Sequence, residues 1–156
     1  MHSMLIGAAA GAAATLPMTI AMERLHEQLP GEPPRPLPPR EITEGVAARA
    51  GVQDELREGE KQALTLAGHV GYGAACGALF GLIAPRNPAA AIAAGVVFGV
   101  TVWTTSYLGW LPASGFRHHP KHDPAARNGL MLAAHIVYGA ATGAFIAAAR
   151  PRRDAR

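Results

Sequence analysis

The chain has 156 residues, with 14 Lys or Arg against 11 Asp or Glu, and 49% of its residues are hydrophobic. That length suits one domain, and the single cysteine, Cys76, rules out both an internal disulfide and a cysteine-based metal motif. The net charge of +3 gathers largely in the carboxy-terminal segment, residues 150–156, which suits an anionic membrane leaflet better than nucleic acid.

Four windows carry no charged residue: 1–22, 62–85, 87–116 and 128–149. Each has about 20 residues or more, the length a helix needs to cross a hydrocarbon core of roughly 30 Å. The first lacks the basic flank of a signal peptide and reads as a retained membrane helix. The expected fold is therefore all-α, a bundle of four transmembrane helices.

In chain order, the first helix is predicted over 3–25, with Gly7 and Gly11 at the small-xxx-small spacing that lets two helices approach closely in lipid. Pro17 should kink it by removing one backbone hydrogen bond, with Thr15 or a neighbouring helix compensating. Residues 30–39 then hold six prolines, a run that favours a stiff polyproline spacer over helix. Over 41–50 the pattern turns helical, with Ile42, Val46 and Ala50 at four-residue spacing and Gly51 as a stop. This predicts a short amphipathic helix at the headgroups or across the bundle mouth, part of a polar cap over 26–61. Helix 2 follows over 62–84 and ends at the turn Pro85-Arg86-Asn87-Pro88. Helix 3, over 89–108, carries Gly95 and Gly99, which pair by spacing with Gly7 and Gly11. Trp103, Tyr107 and Trp110 near its end read as an interfacial aromatic belt. Helix 4 spans 128–149. Arg86 and the arginines of the tail place the turn and both termini in the cytoplasm by the positive-inside rule.

The densest signal is a repeat. Residues 66–78 and 132–144 share the pattern L-A-x-H-x-x-Y-G-A-A-x-G-A, matching His69 with His135, Tyr72 with Tyr138, Gly73 with Gly139 and Gly77 with Gly143. Such density implies a duplicated unit, with repeat 1 over 1–85 and repeat 2 over 88–150. The two copies form parallel hairpins about an axis along the membrane normal.

Both histidines enter their windows at the same depth, roughly 10 Å below one surface by helical rise. His69, Gly73 and Gly77 share a stripe, as do His135, Gly139 and Gly143, with Tyr72 and Tyr138 beside them. The plainest role is packing, a neutral imidazole bonded inside the bundle and glycines at a close helix crossing. Two sharper roles compete with it. Paired imidazoles suit the axial positions of a b-type haem, although no Arg or Lys lies near for the propionates. A proton or solute relay through the His/Tyr pairs would lack a membrane-embedded carboxylate. Separately, His118, His119 and His122, with Asp123 as a further candidate, could bind Zn, Cu or Ni, but Pro120 breaks helical spacing and no fourth ligand is evident. No motif of hydrolases, zinc proteases or nucleotide-binding loops occurs.

The Gly-rich first helix, the G-H-x-x-Y-G segment from Gly68 and the four-helix layout resemble small bacterial inner-membrane proteins of the YagU-like kind. The resemblance implies a bacterial inner-membrane location and a link to envelope or acid stress, and it transfers no catalytic residue. The expected function is a non-enzymatic membrane scaffold or subunit. It would contact lipid and use its Gly/Ala seams to bind a protein partner, a second copy of itself or lipid. A haem, metal or transport protein using His69 and His135 is the alternative.

Overall fold

The computed structural model describes residues 1–29, 36–116, 121 and 123–150. His118, His119, His122, residues 30–35 of the Pro-rich run and the arginine tail beyond Arg150 lie outside the described residues. The described chain is all-helical. Helix α1 spans His2–His26, α2 Pro38–Arg49, α3 Glu58–Ile83 and α4 Pro88–Trp103. A π-helical segment, Thr104–Trp110, carries α4 into the short α5, Leu111–Ser114, and α6 spans Ala125–Ala149. Four helices, counting Pro88–Ser114 as one, are long and apolar enough to cross a membrane, which makes this a multi-pass membrane protein.

Two antiparallel hairpins, α1 with α3 and α4 with α6, make up the bundle, and α1 packs on α6 to join them. Each hairpin closes along glycines. A Cβ on Gly11 would strike the Gly73 carbonyl oxygen and lie 2.8 Å from the Cα of Gly77, and one on Gly7 would strike the carbonyl of Gly77. In the second hairpin Gly95 faces the Gly139 carbonyl, Gly99 that of His135, and Gly143 that of Ala91. Apolar side chains gain nothing by leaving lipid for a protein interior, so close backbone packing of this kind carries helix association. These contacts shift the register read from spacing by one turn. Gly7 meets Gly77 as Ala91 meets Gly143, so the stripe Gly7, Gly11, Thr15 corresponds to Ala91, Gly95, Gly99. A four-residue repeat of small residues cannot by itself choose between adjacent turns.

Ala14, Met18 and Met22 of α1 pack with Leu130, Met131, Ala134 and Tyr138 of α6 to form the core between hairpins. Helix α1 runs unbroken through Pro17, and the Thr15 hydroxyl donates to the Ala12 carbonyl at 2.7 Å, one residue from the carbonyl whose donor Pro17 lacks. Asn87 caps α4, its Oδ1 accepting from the Ala90 N–H at 3.0 Å, with Pro88 in the first turn, where a missing N–H costs nothing. At the same end Arg150 donates to the carbonyls of Ala84 and Pro85 at 3.0 and 2.7 Å, a cation at the negative end of α3.

Helix α2 differs from expectation in two ways. It starts at Pro38 and Pro39, so the end of the proline run is helical, because proline is well tolerated in a first turn. Its inward face is Pro38, Ile42 and Ala47, while Val46 and Ala50 point outward. The aromatic belt also divides. Tyr107 is buried and stacked on Trp103 at 5.8 Å between centroids, and Trp110 is the exposed member.

Candidate functional site

Helices α3 and α4 touch little along their length. At one level the gap between them is filled by Phe80 stacked on Phe98, with centroids 4.9 Å apart. At another, Tyr72 meets Trp110 at 6.0 Å. Behind Tyr72 the gap opens into a cavity of about 240 Å³. Its wall brings together His69, Tyr72, Gly73 and Cys76 of α3, His135 and Tyr138 of α6, Ser106 and Trp110 beyond α4, and Met18 of α1. Pro38, Pro39, Ile42 and Thr43 of α2 roof it.

Of the residues singled out by the repeat, His69, Tyr72, Gly73, His135 and Tyr138 therefore share one cavity. Gly77, Gly139 and Gly143 do not line it and belong to the helix seams instead. The two His/Tyr pairs sit in unlike surroundings. His135 is buried, and its Nδ1 lies 2.7 Å from the Met131 carbonyl oxygen. A carbonyl only accepts, so Nδ1 carries the proton and Nε2 the lone pair. Tyr138 is buried too and donates its hydroxyl to the Gly73 carbonyl at 2.7 Å, tying α6 to α3 across the cavity. His69 is only half-buried, with Nδ1 3.4 Å from the Thr19 hydroxyl, and Tyr72 is 40% exposed at the rim. One His/Tyr pair is fixed in the interior and the other stands at the opening.

Several wall residues were not signalled by the repeat. Cys76 lies seven residues from His69, on the same side of α3. Ser106 and Trp110 reach the cavity because α4 gives way to a π-helical segment. There Thr104, Thr105 and Ser106 donate hydroxyls back to the carbonyls of Val100, Thr101 and Val102, and Gly109 takes φ −106° and ψ −106°. Side chains that bond back onto the helix compete with its own ladder and bend it. The run Thr-Thr-Ser followed by Gly109 is the sequence signal for that departure.

The roof is tied on three sides. Arg40 donates to both carboxylate oxygens of Glu58 at 2.9 and 2.7 Å and to Glu44 at 2.7 Å, and these carboxylates hold its guanidinium above its already high ordinary value. Arg127 of α6, buried, donates to Glu41 at 3.0 Å and to the Pro36 carbonyl at 2.6 Å. Arg49 lies over the Phe116 ring, 4.5 Å from its centroid.

Among the described residues no Lys, Arg, Asp or Glu lines the cavity. Among the described residues no cluster of His, Cys, Asp and Glu is disposed to hold a metal ion. The glycine seams expected to receive a partner are filled by the chain's own helices, so a partner or second copy would have to use the outward faces. No curated protein and no solved structure matches the chain, and the YagU-like resemblance gains no support. Along its whole length, residues 1–156, the sequence matches one family model, and the chain belongs to that family, the family of unknown function DUF6789.

Proposed function

We propose that this is a small, non-enzymatic membrane protein that binds an uncharged lipophilic molecule in the His/Tyr cavity. One observation carries the reading: His69, Tyr72, Ser106, His135 and Tyr138, from three membrane helices, line a single cavity whose wall is otherwise largely apolar, with hydroxyls from Thr15, Thr43 and Thr65, and among the described residues bears no formal charge. Pockets of this makeup, apolar with a few convergent polar groups, are the usual form of small-molecule sites. The matched segments around His69 and His135 support a duplicated unit, 1–85 and 88–150, within one membrane domain capped by 26–61. Arg86 and Arg150 at one end of the bundle support cytoplasmic termini, and a bacterial inner membrane is the setting the sequence resemblance suggests.

The shared cavity also favours a second reading, a haem held between His69 and His135. Against it, no cation among the described residues lines the wall to pair with propionates, and about 240 Å³ is small beside ligand pockets of roughly 300–1,000 Å³.

Extraction of the purified protein with organic solvent, followed by mass spectrometry, separates the two. The expected result is an uncharged lipophilic compound near one per chain in the wild type, and at least about tenfold less in His69→Ala and Tyr72→Ala, a loss of about 1.4 kcal/mol in binding. A Soret absorption band that disappears in both His69→Ala and His135→Ala, with no retained lipid, would replace the binding reading by the haem one.

A further inference from the structure

We infer that the cavity fills from the side: an uncharged, hydroxyl-bearing lipid enters between α3 and the kinked end of α4 and donates its hydroxyl hydrogen to Nε2 of His135. This rests on the binding role proposed above and adds the route and the chemical class.

The route follows from which lining residues are exposed. The lining residues classed as exposed are Gly68, Tyr72 and Trp110, and they stand on α3 and at the end of the π-helical segment. Deeper in, Met18, Cys76, Ser106, His135 and Tyr138 are all buried. Gly68 lies seven residues beyond Lys61, the last charge before the apolar part of α3, and Tyr72 eleven beyond it. At 1.5 Å per residue the rim sits roughly 10–16 Å along the helix from that charge, at the level of lipid tails. The aqueous side is closed by α2, pinned by the Arg40–Glu58, Arg127–Glu41 and Arg49–Phe116 contacts. Gly68 adds a notch to the rim, since a Cβ there would meet nothing within 4 Å.

The class follows from the wall. Among the described residues no charge of either sign lines the wall, so an ionic headgroup would be desolvated without compensation there, at a cost of several kcal/mol. An uncharged molecule avoids that. His135 spends its only N–H on the Met131 carbonyl, so the ring meets the cavity as an acceptor, and its partner must bring a hydrogen. Long-chain alcohols, phenols and quinols have that group on an apolar body.

The test uses the full chain in vesicles of phosphatidylcholine and phosphatidylglycerol, with two photoactivatable diazirines, a long-chain alcohol dissolved in the bilayer and a short charged compound in the water. After irradiation, labelled residues are mapped by mass spectrometry. The alcohol is expected to label Met18, Cys76 and Ser106, and the charged probe to leave them unlabelled. Gly68→Trp, which fills the notch, should lower alcohol labelling at least about tenfold, and Gly68→Leu is the substitute if the tryptophan variant does not fold. The methyl ether of the alcohol should compete about fivefold less well, the loss of one hydrogen bond. Equal labelling by the charged probe, or no effect of filling the notch, overturns lateral entry and leaves the binding role standing. An ether as good as the alcohol overturns the hydroxyl assignment. Labels confined to the outward residues Leu79, Leu82 and Val97 overturn the binding role itself.

Discussion

Glycine acts at the single-residue level here, through the atom it lacks. Gly11 and Gly71 are both glycines in membrane helices, yet a Cβ on Gly11 would run into the backbone of Gly73 and Gly77, whereas one on Gly71 would meet nothing within 4 Å. Gly11→Leu should therefore push α1 off α3, at a cost above the roughly 1–3 kcal/mol typical of overpacking, because backbone cannot step aside. Gly71→Ala should be neutral or stabilising by up to about 1 kcal/mol through helix propensity. Thermal unfolding in detergent checks both, and equal melting temperatures for the two variants would mean that the seam is not where the bundle is held. The histidines teach the same lesson. Identical L-A-x-H-x-x-Y-G segments yield one interior pair and one rim pair, because His135 and Tyr138 stand on the central helix α6, between α1 and α4, and His69 and Tyr72 on the flanking helix α3. Residue identity was legible in the sequence, but neighbourhood was not.

At the level of elements, α2 is the part whose role changed most between sequence and structure. Its helical spacing was evident, while its place was left between the headgroups and the bundle mouth. Its inward face was not, because Ile42, Val46 and Ala50 repeat as well as Pro38, Ile42 and Ala47 do, and only contact with α3 and α6 selects between them. The two latches on α2 should differ in worth. The Arg40–Glu58 pair is exposed on the Glu58 side, so Arg40→Ala should leave the melting temperature nearly unchanged while making residues 36–57 more open to protease. Arg127 is only 2% exposed, and Arg127→Ala removes its hydrogen bonds to Glu41 and the Pro36 carbonyl, which should cost about 2 kcal/mol. Limited proteolysis alongside thermal unfolding checks the pair, and an Arg40→Ala variant as unstable as Arg127→Ala would show the roof to be part of the core.

For the whole molecule, deletion of residues 30–39 is the informative change. The four spanning helices hold one another through seams and a core to which, of the described residues in this stretch, Leu37 adds only a packing contact at its edge, so insertion and helix content should persist by circular dichroism. The same deletion removes Pro38 and Pro39 from the roof and the Pro36 carbonyl from Arg127. Water should then reach the cavity, and a charged thiol reagent that spares Cys76 in the wild type should modify it at least about tenfold faster. Loss of insertion would mean that the roof is needed to assemble the bundle.

Four apolar windows, helix-capping turns and glycine spacing were enough to establish an all-helical, four-span protein from sequence, since lipid demands helices of set length whatever surrounds them. Counting residues along a regular helix also put His69 and His135 at like positions in their windows, and both line the same cavity. Tertiary structure decided which helices touch, the register of each seam, which imidazole is interior, and that Cys76, Ser106, Trp110 and the face of α2 complete the cavity. Those outcomes depend on rotation about helix axes and on the break in regularity after α4, and neither is set by periodicity within one segment, because each is chosen by the backbone of another helix lying against it.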